Sequence, residues 1–397
     1  MHKNLERDLK QARVLEVQKD VWMIEGYISD SFAHKTPSSN IYLLRDKDDI
    51  YLLDTGFHPF FRKPMLDVIG RFKRDGAKRL TLLLTQGHFD HAFNNDVILE
   101  TGLPWRFFLP EPEVARTSDF AADFLHDLEE LAGYEDIFST MFPWRFPTGI
   151  VRATGKVSPS LAFRMLERAS GHLMGGAKTL ADQATVLHLA DRVSRRFGPV
   201  ELAGWDLGPF FLIHDASHTQ GHICLLDPDR KLLLAGDVTI EINPAFFYSS
   251  TRLCQEAAGS FRQLAEAGFV ETVGDSHRTS IFFPRLLEKG GIAPLSPLQT
   301  RDIFRGREEC AAFFGLFEDY YRRLQEQVRL AHRRLGRAEI GDIVEELSAS
   351  KDPAMRFKAA MRFPDFPSRL DVLAAGVLRD DGVRPVKEGD RIVFDAP

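Results

Sequence analysis

The chain has 397 residues, 44% of them hydrophobic, and 51 Lys and Arg against 57 Asp and Glu, a formal net charge of −6. That apolar content supports a sizeable core with more than one domain or a large insertion, and the acidic balance excludes long-range attraction to nucleic acid or an anionic membrane. Three scattered cysteines, Cys224, Cys254 and Cys310, exclude a disulfide framework; a charged start (Met1–Asp8) and no apolar run near about 18 residues argue against an export signal or membrane span. A reducing cytoplasm is the expected setting.

In chain order, residues 1–13 read as a short helix or arm, followed by strands at Val14–Val17 and Val21–Glu25. Asn40–Leu44 and Ile50–Leu53, parted by a charged run, read as a hairpin. Helix Pro64–Arg74 repeats Leu66, Ile69 and Phe72 along one face. The apolar run Leu80–Leu84 is then a buried strand that stops at Thr85 and delivers Gln86-Gly87-His88-Phe89-Asp90-His91. Four potential ligands in six residues point to metal. In an extended turn alternate side chains face the same way, so Gln86 and His88 suit one ion, whereas the adjacent Asp90 and His91 diverge and suit a second.

Residues 110–200 show helical periodicity over Glu111–Ala132, Ser158–Ser170 and Lys178–Phe197, joined in part by an aromatic segment containing Phe142, Trp144 and Phe146. The strand-end pattern then returns three times. Phe210–His214 leads to Ser217-His218-Thr219-Gln220-Gly221, Lys231–Ala235 to Gly236-Asp237, and Phe269–Val273 to Ser276-His277. Helix Thr251–Ala267 separates the last two, and Pro284–Pro297 reads as a linker. Beyond it, Arg307–Leu335, Ala338–Leu347 and Phe366–Leu378 read as helices, closed by a hairpin over Val383–Phe394. Residues 316–397 carry 15 Lys/Arg and 15 Asp/Glu, so this region is expected to pack or dimerise rather than bind a duplex.

These motifs, in this order, resemble the metallo-β-lactamase superfamily: His-x-His-x-Asp-His, a Ser-His-Thr-x-Gly loop, a Gly-Asp and a final His after a strand. Asp54-Thr55-Gly56 matches the Asp-x-Gly element upstream, and the resemblance covers roughly residues 14–110 and 200–290. It implies an α/β fold, the αββα metallo-β-lactamase sandwich, over residues 1–297, with residues 110–200 as a helical insertion. Residues 298–397 then form a mainly helical, winged-helix-like C-terminal domain. The insertion would roof the site, with Phe142, Trp144 and Phe146 lining a pocket for an apolar substrate; packing within the insertion or a homodimer contact is the alternative use of these rings.

The resemblance further implies that Gln86, His88 and His218 hold a first ion, that Asp90, His91 and His277 hold a second, and that Asp237 bridges them. Asp54 would accept a hydrogen bond from a ligand histidine and set its tautomer. His214 and His222 are expected not to be ligands. This chain departs from the family at Gln86, where a neutral amide replaces imidazole; the first site is expected to fill last or stay empty, and Gln86→His to raise its affinity.

The function expected is hydrolysis of an ester-like bond, a thioester or lactone, in a small or mid-sized and partly apolar molecule. One or two divalent ions, zinc first with iron or manganese as alternatives, would activate water, and Asp90 would accept the proton as the intermediate collapses. An iron-dependent oxygenase on the same ligands is the second reading. A ribonuclease ranks lower because of the charge balance, and a silent binding protein because Asp90, His91, Asp237 and His277 are intact. No nucleic-acid or membrane partner is expected.

Overall fold

A computed structural model describes residues 13–26, 38–57, 59–118, 120, 178–238, 250–277, 302–350, 352, 369–388 and 391–395. The first half builds a seven-stranded sheet whose spatial order follows the chain. Its strands are β1 (Val14–Gln18), β2 (Val21–Ile24), β3 (Ile41–Asp46), β4 (Asp49–Leu53), β5 (Arg79–Leu83), β6 (Trp105–Pro110) and β7 (Thr185–Leu187). β1 to β4 are antiparallel. Helix α1 (Arg62–Arg74) carries the chain back over the sheet, so β4 and β5 are parallel, as are β5 with β6 and β6 with β7. Helices α2 (Phe89–Ala92) and α3 (Glu113–Ser118) follow β5 and β6.

The second half forms another seven-stranded sheet, whose spatial order again follows the chain. It contains β8 (Val193–Phe197), β9 (Val200–Leu207), β10 (Phe210–His214), β11 (Ile223–Asp227), β12 (Leu232–Leu234), β13 (Thr272–Gly274) and β14 (Ile303–Arg305). Helix α4 (Thr251–Glu266) links β12 to its parallel neighbour β13, and Ser250 caps it by accepting from the Leu253 N–H. There follow α5 (Arg307–Leu335), β15 (Ala338–Glu339), α6 (Ile340–Ser348), α7 (Arg369–Asp380), β16 (Pro385–Glu388) and β17 (Arg391–Phe394). The last hairpin and β15 form a small three-stranded sheet.

Period-two alternation decides which layer each side chain joins. Tyr42, Leu44, Tyr51 and Leu53 point inward and meet Phe210, Leu212, Ile223 and Leu225 of the other sheet. Their neighbours Ile41, Leu43, Ile50 and Leu52 point outward under Met65, Val68, Ile69 and Phe72 of α1. In the second sheet Phe211, Ile213, Cys224 and Leu226 face Phe261, Phe313, Phe314 and Phe317 of α4 and α5, and this core continues into α6 and α7. Each large apolar side chain so buried contributes about 1.5–3 kcal/mol. The result is an αββα sandwich.

The helix expected over Lys178–Phe197 is instead two strands, β7 and β8, with short helical turns at Ala181–Gln183 and Leu189–Asp191. Its apolar residues are spaced three to four apart, but each half lies along a sheet edge. Val186 pairs with Leu109, and Val193–Phe197 pair with Val200–Gly204, so ladder bonds override the local period. The helix expected from Ala338 starts at Ile340, because Ala338 and Glu339 pair with β17 and Glu339 forms a capping box with Asp342. The helix expected from Glu111 starts at Glu113. Its remainder, Ser158–Ser170, the segment with Phe142, Trp144 and Phe146, residues 1–12 and Pro284–Pro297 lie outside the described residues. Among the described residues no helix is long and apolar enough to cross a membrane.

Candidate metal centre

Parallel pairing puts the C-terminal ends of β5, β12 and β13 at one end of the sandwich, and the polar side chains of the strand-end motifs gather there. The two sheets are tied at this end by main-chain hydrogen bonds: Asn40 N–H donates to Ser276 O at 2.6 Å, and Ile223 N–H donates to Thr85 O at 2.9 Å. Tyr42 adds a bond from its hydroxyl to Asp275 O at 2.6 Å. The loops that follow therefore start from anchored backbone.

Four side chains converge first. His277 Nε2 lies 3.3 Å from Asp90 Oδ2 and 3.5 Å from Asp237 Oδ1, while His91 Nε2 lies 3.2 Å from Asp237 Oδ2 and 3.8 Å from Asp90 Oδ2. Ligand atoms about 2.0–2.1 Å from a tetrahedral zinc stand about 3.3 Å from one another, so the cage has the spacing of a cation's coordination shell. Asp237 Oδ1 and His277 Nε2 are buried and, beyond their ion-pair contacts within this cage, have no hydrogen-bond partner, a need that an ion between them would meet. The residues present fit a divalent metal.

The supporting contacts point the ligand lone pairs inward. Asp54 Oδ2 lies 2.9 Å from His91 Nδ1, and the carboxylate is itself held by the Thr85 N–H and hydroxyl, both at 2.8 Å. An Nδ1–H donated to Asp54 leaves the Nε2 lone pair facing the cage, where the Gln86 amide nitrogen lies 2.8 Å from it. Asp54 takes this position with φ +62, a left-handed backbone that Asp tolerates better than most residues. Behind Asp237, its backbone N–H donates to His222 Nε2 at 2.8 Å, and His222 Nδ1 meets Asp215 Oδ2 at 2.8 Å. His222 is thus engaged from both nitrogens and supports Asp237 from behind.

Charge follows the same pattern. Burial opposes ionising His277, but Asp237 and Asp90 outweigh it and raise its pKa to about 10. His91, equally buried, is lifted well above the imidazole range by Asp237, Asp54 and Asp90. Burial works against the Asp237 carboxylate too, yet His277, His91 and His218 hold its pKa well below the usual range. The cage is a strongly cation-seeking environment.

The second group is different. His88 Nδ1 faces His218 Nε2 at 3.3 Å, and His218 Nε2 is 3.3 Å from Asp237 Oδ2, so Asp237 stands between the two groups. Gln86 turns its amide nitrogen towards the first group. Its Nε2 donates to Asp237 Oδ2 at 2.5 Å and lies 2.8 Å from His91 Nε2; the carboxylate accepts only, which assigns the amide nitrogen to that side. His88 and His218 both have pKa values pushed well below the imidazole range, first by burial.

Sequence reasoning missed Thr85, Asp215, Glu113 and Arg116. Glu113 and Arg116 are the consequential pair: both are buried, and Arg116 Nη1 lies 2.9 Å from His88 Nε2. The only signal was an acid and a base three apart in a helical stretch, a spacing ordinarily found on exposed faces. Phe142, Trp144 and Phe146 lie outside the described residues.

Comparison with known proteins gives three findings. Residues 35–103 match the family model of the metallo-beta-lactamase superfamily. A beta-lactamase domain protein from Burkholderia ambifaria is similar over 97% of this chain and 93% of its own, at 16% identity and a TM-score of 0.56. The stereoselective inverting sec-alkylsulfatase Pisa1 from Pseudomonas sp. is similar over 93% of this chain and 50% of its own, at 14% identity and a TM-score of 0.51. No curated protein sequence matches the chain. Identities this low speak to the fold alone.

Proposed function

The chain has the metallo-β-lactamase fold, and from that premise we propose that it is a metal-dependent hydrolase of an ester-like bond, a thioester or lactone, in a small or mid-sized and partly apolar molecule. The observation that carries this reading is the convergence of Asp90, His91, Asp237 and His277 at tetrahedral ligand spacing, with orphaned buried polar atoms between them. When bound there, a divalent ion supplies Lewis acidity and a water whose pKa falls towards about 7.

The chain's own groups do the rest. Asp54 keeps the His91 ring in one tautomer, and His222 holds the backbone of Asp237. The Asp90 side chain is 15% exposed, whereas His91, Asp237 and His277 are at most 3% exposed, which supports Asp90 as the acid that exchanges a proton with substrate. Phe89 sits between His88 and Asp90 in the ligand loop, partly exposed and edge-on to the buried Phe57 ring at 5.2 Å. It offers an apolar wall beside the ligands, which supports a partly apolar substrate.

The test is elemental analysis of protein purified without added metal, followed by assay of stripped and reloaded protein on a thioester, a lactone and, because of the alkylsulfatase neighbour, an alkyl sulfate. Zinc content with hydrolysis lost on stripping is expected. Iron content with oxygen consumption and no hydrolysis would replace this reading with an oxygenase. Protein that binds no divalent ion would end both.

A further inference from the structure

The His88 group already contains a cation. Arg116, in α3, is only 6% exposed and places Nη1 2.9 Å from His88 Nε2. A guanidinium donates only and stays charged, so this contact uses the lone pair of His88 Nε2. Nδ1, the other ring nitrogen, faces His218. Gln86 directs its amide nitrogen at Asp237, and its Oε1 is buried without a hydrogen-bond partner.

Arg116 is held beside an equally buried acid. Glu113 is fully buried, and its Oε2 lies 3.4 Å from Arg116 Nε and accepts from the Gly87 N–H at 2.7 Å. Its Oε1 accepts from the Gly221 N–H at 2.8 Å and the Thr219 hydroxyl at 2.7 Å. One carboxylate thereby ties the loop of His88 to the loop of His218 and holds the guanidinium against them. Both glycines make room for it: a Cβ on Gly221 would lie 2.6 Å from Glu113 Cγ, and one on Gly87 3.0 Å from Arg116 Cδ. Burial of an arginine with its acid is costly unless the charges are paired; here they form an ion pair at 3.4 Å, and the carboxylate accepts three further hydrogen bonds.

We propose that Arg116, anchored by Glu113, takes the place of the first metal ion, so that the chain loads a single divalent ion at Asp90, His91, Asp237 and His277. This rests on the metal-centre reading above and concerns the other half of the same site. A fixed positive charge on His88 both removes a ligand lone pair and repels a second cation. The weakness of the first site, which the sequence places on Gln86, then belongs chiefly to Arg116.

Zinc titration of chelator-stripped, full-length protein, with cobalt(II) as the spectroscopic probe, separates the possibilities. The unaltered protein is expected to bind one equivalent, and so are Gln86→His and Arg116→Lys, because each keeps a cation on α3. Gln86→His combined with Arg116→Met is expected to bind two equivalents, the second adding a new cobalt absorption. Histidine 15N spectra of the unaltered protein need no variant: one equivalent of zinc should move His91 and His277 and leave His88 in place. Two tight equivalents in the unaltered protein, a metal-type shift of His88, or a folded double variant that stops at one equivalent would each overturn the role of Arg116. Failure of the unaltered protein to bind any zinc would instead overturn the metal-centre reading.

Discussion

Two groups of ligand-type side chains share Asp237 as a neighbour, yet their surroundings are opposite. The group of Asp90, His91, Asp237 and His277 contains two carboxylates and two imidazoles whose pKa values are raised. The group of Gln86, His88 and His218 contains neutral donors, with both imidazole pKa values lowered and a guanidinium on His88. Ligand identity alone does not make a cation site; the sum of charge and the direction of free lone pairs decides it.

The largest expected break in this contrast comes from Asp237→Ala. It should lose the ion and more than about 100-fold in activity, beyond the range that outer contacts control. It should also abolish the thermal stabilisation by zinc, about 4.1 kcal/mol at a 1,000-fold excess of free ion over Kd, seen as a shift in Tm. His218→Ala should keep the ion; elemental analysis of the two dialysed variants checks both, and the reverse pattern would exchange the roles of the two groups.

Next in size is Asp54→Asn, which spoils the acceptor for His91 Nδ1–H. Zinc affinity by competition with a chelating dye should fall about 10–100-fold while stoichiometry holds. An unchanged affinity would mean that Asp54 serves the turn at Gly56 rather than the ligand ring.

His222→Ala should alter zinc affinity by less than about tenfold, because His222 touches only the backbone of Asp237. It should nevertheless cost about 1–3 kcal/mol in denaturant unfolding, since Asp215 and the Asp237 N–H lose a buried partner. Loss of zinc on His222→Ala together with retention on His218→Ala would show that the ligand register in this loop is displaced by four residues.

The smallest effect is expected far from both groups. Arg322 pairs with Asp319 and Glu326 on the exposed face of α5, with about half of each side chain in solvent. Arg322→Ala should change unfolding free energy by no more than about 0.5 kcal/mol and leave the ion untouched.

Strand-end chemistry and the apolar strands at Ile41–Leu44, Ile50–Leu53 and Phe210–Ile213 were legible in the chain, because an apolar run and the residues that end it are neighbours in sequence; which face each side chain takes was decided by the two sheets. The crowding of Gln86 to His91 was legible too. The strands in Lys178–Phe197 were not, since their ladder partners Leu109 and Val200–Gly204 fall outside the window that shows the period. Nor was Arg116, whose local spacing to Glu113 is that of an ordinary surface pair. Only the folded chain brings residues 87, 219 and 221 to Glu113 and His88 to Arg116, and burial among them turns a common ion pair into a cation held beside a histidine. The sequence by itself determined which ligand-type side chains stand at the strand ends; the tertiary structure decided which group donates to each of their lone pairs, because those donors come from distant parts of the chain.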